Sequence, residues 1–338
     1  MTTAQKQEEL GIQTLHEAAI STLARCYPPH VQGQVTLLCH SENATYRIDT
    51  PGGQRYALRV HKLGYHKKTD IENELVWLEA LRSSGIQVPH PIAGLDGHNV
   101  QHAQVGDDKE LNLVLFHWVT GAEPTTDVDL SAFNRLGAIT AKLHQHSQEW
   151  QRPNDFRRIV WDHRSMVGPQ GHWGNWRDAV NWNSSDFGLI EDTLHRVNRE
   201  LASYGQDDKR FGLIHADLRL ANLLVDHEQT HVIDFDDCGF GWYMHDLAAA
   251  LSFYETHERL NDWIEHWLAG YTSINYLSAQ DIAMIPTFII QRRIQLLAWI
   301  GSHADTLQAR SLGVNWAQQS VELCRRYLNN EFAQVAIR

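Results

Sequence analysis

Several protein classes are excluded by what this chain has little of. It carries only four cysteines, Cys26, Cys39, Cys238 and Cys324, and none stands in a C-x-x-C spacing. That pattern supports neither a zinc ribbon nor a disulfide scaffold, and it fits reduced thiols in a cytoplasmic protein. Basic residues are outnumbered by acidic ones, 29 to 41, which leaves a net charge of −12. Phosphate backbones reward basic surfaces, so this balance argues against nucleic acid as the main partner. Long apolar runs are missing too. The most hydrophobic span, 285–300, has Arg292 and Arg293 at its middle, where charge is costly in lipid. It reads as a core helix with a polar edge, and no membrane partner is implied. The first residues are polar and lack the apolar core of a signal peptide. The 21 histidines are dispersed, with no H-E-x-x-H or Cys/His ligand pattern, so zinc is not implied.

What is present is enough chain for two lobes and a sizeable core, 338 residues. Leu10, Ile12, Leu15, Ala19 and Leu23 share one face of an opening helix, which Pro28-Pro29 ends. Strand-like runs follow at 35–39, 44–48 and 55–60, with Pro51-Gly52-Gly53 as the turn between the last two. Helical spacing returns over 69–81, and 111–119 is a compact apolar strand. From Gly121 onward the pattern is mainly helical. Residues 130–146 form an amphipathic helix, and 147–183 are irregular and rich in tryptophan. This order predicts an α+β chain: a small lobe over 1–119 with an antiparallel sheet and one main helix, then a larger, mostly helical lobe over 120–338.

The densest chemistry lies in His215-Ala216-Asp217-Leu218-Arg219-Leu220-Ala221-Asn222, followed by Ile233-Asp234-Phe235. Between these segments, 223–225 and 231–233 read as two short strands around a polar turn. Such a hairpin brings Asn222 and Asp234 to the same end, where they can share one ion. Phosphoryl transfer from ATP needs a carboxylate to orient the acceptor hydroxyl and oxygen ligands for a metal. Asp217 can supply the first. Asn222 and Asp234 can supply the second, since Mg2+ takes a few hard oxygens from protein and the rest from phosphate and water.

These segments, with Asp236-Asp237 and His245-Asp246-Leu247-Ala248 downstream, resemble the aminoglycoside phosphotransferase, choline kinase and homoserine kinase superfamily. The resemblance implies a bilobal protein-kinase-like fold whose lobes meet near Trp118 to Thr120. It also implies ATP and Mg2+ as cofactors and a small-molecule hydroxyl acceptor. Asp217 would be the catalytic base, Asn222 and Asp234 the metal ligands, and Asp246 a structural brace of the loop. Arg219 would neutralise the transferring phosphoryl group or pair with a neighbouring acid. His215 reads as structural.

By the same resemblance the turn holding Ser41 and Asn43 would cover the ATP phosphates, although it contains no glycine; an ordinary hairpin turn fits equally. Arg59 stands where the family usually places its ATP-binding lysine, and Glu74 would be its partner. Backbone groups from His117 to Val119 would meet adenine. For the acceptor, Trp161, Trp173, Trp176 and Trp182 stand near Asp162 and Asp178, and aromatic faces beside carboxylates can receive an ammonium group. Anchoring of irregular loops is the alternative for these tryptophans. Asp236 and Asp237 could face the same site. The acceptor would then be amine-bearing: homoserine-like, an amino alcohol or aminoglycoside-like. A protein serine/threonine kinase and a non-catalytic nucleotide-binding module remain as alternatives.

Overall fold

Apolar spacing and turn residues account for the order of elements in the computed structural model, which describes residues 11–41, 43–106, 108–124, 130–179, 186–227, 229–304, 307–312 and 315–333. The chain divides into two compact units. The first is Met1–Gly121 with Asp155–Arg157 and Asp226–Ile233; the second is Ala122–Asn154, Arg158–Val225 and Asp234–Arg338.

In the first unit, α1 (Ile12–Cys26) buries Leu15, Ala18, Ala19, Thr22 and Leu23, and the prolines after it cannot continue a helix. Strands β1 (Gln34–His40), β2 (Ala44–Asp49) and β3 (Arg55–Val60) pair antiparallel in succession. Along β2, Ala44, Tyr46 and Ile48 are buried while their neighbours are not, the two-residue period of a strand with one face on a core. Then come α2 (Lys68–Ser83), β4 (Pro91–Ile92), β5 (Val100–Val105) and β6 (Lys109–His117). The sheet order is β1-β2-β3-β6-β4, with β5 also on β6. The expected strand over 111–119 therefore stops at His117. Neither β4 nor β5 was legible from spacing: β4 is two residues long, and β5 mixes polar residues into a run that is held by pairing with β6.

The second unit begins with α3 (Leu130–Glu149). The tryptophan-rich stretch contains β7 (Ile159–Trp161) and α4 (His163–Val167), and α5 (Phe187–Tyr204) follows. Strands β8 (Phe211–Ile214), β9 (Leu223–Asp226) and β11 (Gly239–Trp242) come next, while β10 (Gln229–Val232), between β9 and β11 in the chain, falls in the segment counted with the first unit. β9 and β10 form the expected hairpin, while β11 lies between β7 and β8 in a three-stranded sheet. The helices α6 (Met244–Ala250), α7 (Leu260–Thr272), α8 (Ala279–Ala283), α9 (Ile285–Ser302), α10 (Leu307–Ser311) and α11 (Trp316–Leu328) complete the chain.

Two features set the packing here. α3 and α7 touch backbone to backbone at Gly137 and Gly270. A Cβ on Gly137 would stand 2.0 Å from the Trp267 carbonyl oxygen, and one on Gly270 would stand 1.9 Å from that of Asn134. α9 is buried along nearly its whole length. Arg292 and Arg293 are each only 1% exposed, so the polar edge expected of this helix is not an edge: both charges are inside. Burial of that kind requires partners, and Arg293 finds Glu255 at 2.6 Å, Ser320 at 2.7 Å and the Trp316 carbonyl at 3.0 Å.

Candidate active site

The loop between β8 and β9 closes on itself. Asn222 ends a short 3₁₀ turn, Leu220–Asn222. Its Nδ2 donates to the Asp217 carbonyl at 2.8 Å and to Asp217 Oδ2 at 3.2 Å. The five-residue spacing of the motif is thus the reach of one amide across one turn. With Nδ2 engaged, the Asn222 carbonyl oxygen is the end left for a cation, and it accepts no hydrogen bond among the described residues.

Ala216, just before Asp217, has φ +70, a left-handed conformation uncommon for a residue with a side chain. Asp246 at the head of α6 holds it there. Its Oδ1 accepts from the Ala216 N–H at 2.8 Å and its Oδ2 from the His215 N–H at 3.1 Å. His144 on α3 meets Oδ2 at 3.0 Å and Tyr271 at 2.9 Å through its other nitrogen. Burial works against charge on Asp246, but the hydrogen bond and charge of His144 outweigh it and keep the carboxyl below the usual range. The structural brace expected of Asp246 is what the hydrogen bonds show. His215 is fully buried against Phe235, ring centroids 4.6 Å apart, and its Nδ1 faces the Asp217 N–H at 3.4 Å.

Asp217 itself is 17% exposed and flanked by cations on both oxygens. Arg219 Nε and Nη2 each reach Oδ2 at 3.2 Å, and Arg292 Nη2 on α9 reaches Oδ1 at 2.5 Å. Burial would raise this carboxyl; the two guanidinium charges prevail and hold it below the ordinary carboxylate value. Arg219 therefore sits beside Asp217 in an ion pair. In sequence, Arg292 reads only as helix polarity. The signal that could have exposed it was present, because a charge in an apolar helix must be paired. Which of many carboxylates it meets is invisible in sequence, since the two residues lie 75 positions apart.

Past the hairpin, Asp234 is exposed with φ +64, a conformation aspartate tolerates better than most residues. The segment after it is clamped from the β7 side. Arg158 donates to the Asp236 and Cys238 carbonyls, and the Trp161 indole donates to the Asp237 carbonyl at 2.7 Å. Asp236 is buried and Asp237 half-buried. Trp173 and Trp176 are both buried, and each carries a guanidinium of the chain itself: Arg292 at 4.6 Å from the Trp173 ring and Arg177 at 4.1 Å from the Trp176 ring. The cation at these indoles is internal. Asp162 caps α4 by accepting from the Ser165 N–H at 2.7 Å. Trp182 lies outside the described residues.

In the first unit, Arg59 on β3 meets Glu74 on α2 at 2.6 Å, with both side chains buried, and lies 5.2 Å from the Phe116 ring. The pair expected from sequence is formed. Asn43 is also buried, and its Oδ1 accepts from the Lys62 N–H at 3.1 Å. It ties the β1–β2 turn to the chain after β3, as a hairpin residue does. Ser41 is exposed, its N–H on the Asn43 carbonyl at 3.0 Å. His117 stacks on His90 at 5.1 Å and spends its backbone N–H on the His90 carbonyl. Val119 lies beyond the strand end, half-buried.

An amide oxygen and an exposed aspartate at neighbouring ends of one hairpin suit an ion that takes its remaining ligands from phosphate and water. Among the described residues no group of three or more His, Cys, Asp or Glu side chains is gathered for a metal. No helix among them is long and apolar enough to cross a membrane.

Positions 37–282 match the phosphotransferase enzyme family. A solved structure of the microcompartment-associated aminopropanol kinase is 42% identical, with a TM-score of 0.86 over 94% of this chain and 99% of the other. Amicoumacin kinase of Bacillus subtilis (strain 168) is 23% identical over 290 residues, 82% of this chain and 83% of that protein. Spectinomycin phosphotransferase in complex with ADP and its antibiotic shares the fold, at 16% identity and a TM-score of 0.64 over 96% of this chain and 99% of its own. Relatives named as small-molecule kinases set aside both the protein-kinase and the non-catalytic alternatives. The chain belongs to the phosphotransferase enzyme family, whose α+β protein-kinase-like fold it shares, and is an ATP-dependent kinase for the hydroxyl group of a small molecule.

Proposed function

We propose that the acceptor is a short amino alcohol of the aminopropanol kind and that Mg2+ accompanies ATP. The observation that carries the chemistry is Asp217, ionised and fixed at both oxygens beside the Asn222 amide. The acceptor class is supported by the similarity to an aminopropanol kinase along nearly the whole chain.

In this reading Asp217 receives the acceptor hydroxyl and orients its lone pair at the γ-phosphorus, taking its proton as the new O–P bond forms and the bridging bond to the β-phosphate breaks, releasing ADP. A carboxylate held below its ordinary range is a weak base. That suits a loose phosphoryl transition state, in which the hydroxyl loses its proton late and positioning contributes most. Arg219, next to Asp217, offers positive charge to the transferring group. Asn222 Oδ1 and Asp234 would hold the metal, which when bound neutralises charge on the phosphates. In the first unit, Arg59 braced by Glu74 would engage the nucleotide phosphates, with Ser41 and Asn43 in the covering turn. Backbone groups from His117 to Val119 would meet adenine. Asp237, half-buried three residues past Asp234, is offered to the acceptor's ammonium group, with Asp236 buried next to it in the chain.

The test is ADP release from Mg-ATP with 1-amino-2-propanol, ethanolamine, homoserine, choline and spectinomycin as acceptors. The amino alcohols should give the highest kcat/KM, and Asp237→Asn should raise their KM more than it lowers kcat. Preference for homoserine or for the antibiotic would reject the proposed acceptor while leaving the kinase intact.

A further inference from the structure

Both arginines that bracket Asp217 are seated by one short turn. After α6 the chain passes through Ser252 and Phe253. Ser252 Oγ accepts from Arg292 Nε at 3.1 Å, and the Phe253 ring lies 5.6 Å from the Arg219 guanidinium. Phe253 has φ +75, which for an aromatic residue is strained and persists only when its surroundings over-determine it. The ring is fixed from behind by Trp299 and Trp316, each 6.3 Å away. Arg292 is fixed on every side: Trp173 on its face, Gln295 at 3.3 Å, the Ala216 carbonyl at 3.4 Å and Ser252 on Nε. Its remaining nitrogen, Nη2, goes to Asp217 Oδ1.

We infer that Arg292 is a positioning residue of the phosphoryl-transfer step, setting the orientation of the Asp217 carboxylate, with Ser252 and Trp173 fixing its own fork. The inference rests on the reading of Asp217 as the carboxylate that receives the hydroxyl. Arg292 is only 1% exposed, so it works through Asp217 rather than on the substrate. A planar fork suits this task because each nitrogen fixes one direction, and four anchors leave the fifth bond no freedom. Asp217 Oδ2 is shared by Arg219 and Asn222, while Oδ1 accepts from Arg292, so removing Arg292 frees the carboxylate to turn about its Oδ2 contacts. The tryptophan-rich stretch takes on a role in this scheme that its composition did not suggest, because Trp173 holds a cation that belongs to the catalytic apparatus.

The experiment is a double-mutant cycle on the full chain, read as kcat and KM for both substrates together with binding of a non-hydrolysable ATP analogue. Arg292→Gln should lower kcat on the order of 10²-fold, the cost of a small misplacement of a reacting group, with the KM for ATP and the analogue affinity within two-fold of the parent. In an Asp217→Asn background the same change should cost nothing further. Added guanidinium should restore part of the activity of Arg292→Ala and none of that of Asp217→Asn. Should Arg292→Gln fail to fold, Ser252→Ala loosens the fork without burying an unpaired charge, and it should lower kcat about ten-fold with ATP binding unchanged. Wild-type kcat in whichever of these two variants folds overturns the inference, as does an Arg292 effect of equal size in the Asp217→Asn background. Full activity of Asp217→Asn alone would instead remove the reading of Asp217 on which it rests.

Discussion

Asp217 and the groups beneath it make the sharpest predictions at the scale of single residues. Asp217→Asn keeps the shape of the side chain and its bond to Arg219 through the amide oxygen, yet removes the charge proposed to receive the proton. Its kcat should fall about 10³-fold with little change in nucleotide affinity, measured by coupled ADP release and by analogue binding. His245 and Asp246 govern behaviour in acid. Burial first, and the nearby charge of Arg292 second, push His245 down to about 3 from its ordinary 6.5. The unfolded chain therefore takes up a proton below pH 6.5 that the folded chain refuses, and stability falls as pH drops from 6.5 toward 3. Asp246 adds a second limb. Its folded value lies below the ordinary 3.8, so its contribution is complete above that pH and is lost as pH falls through the folded value. Melting temperature measured against pH should decline in two stages, and His245→Asn should flatten the upper one. A Tm independent of pH between 6.5 and 4 in the parent would contradict this account.

At the scale of elements, α9 joins the catalytic loop to the rest of its unit through adjacent arginines with different duties. Arg292 faces Asp217, and Arg293 faces Glu255, Ser320 and the Trp316 ring at 3.4 Å. Arg293→Met leaves Glu255 buried without its cation and should cost about 3–5 kcal/mol by urea denaturation. Combining it with Glu255→Leu should recover most of that loss, because the desolvated charge goes with it. The α3–α7 crossing offers a separate test. Gly270→Ala places a methyl inside the Asn134 carbonyl and should cost about 1–3 kcal/mol as the helices move apart. Since α3 also carries His144 and α7 carries Tyr271, the shift should reach Asp246 and lower kcat as well.

For the whole molecule, ATP with the proposed Mg2+ should stabilise the folded chain by linkage, about 2.7 kcal/mol at a hundred times its dissociation constant. A chelator should remove most of that gain if, as proposed, the cation stands between the phosphates and Asp234. Calorimetric or fluorimetric melting with ATP, with and without the chelator, checks both. Asn222→Ala should shrink the difference between the two curves.

The candidate site divides cleanly between what local sequence determined and what tertiary structure decided. The placement of Asp217, Asn222 and Asp234 was legible because it is local: one amide spans one turn, and a short hairpin returns the chain to the same end. The Arg59–Glu74 pair was legible from the family resemblance, which matches Arg59 to the strand and Glu74 to the helix that carry the pair. β2, β3, α2 and α3 followed from strand alternation and helical spacing. β4 and β5 did not, because their strand character comes from β6 and not from their own residues. The roles of Arg292, Ser252, Phe253 and Trp173 were closed to sequence for a related reason. A buried guanidinium must have partners, but no spacing rule says which distant carboxylate, hydroxyl and ring will surround it. That choice is made only when α9, the turn after α6 and the tryptophan-rich stretch pack around one carboxylate.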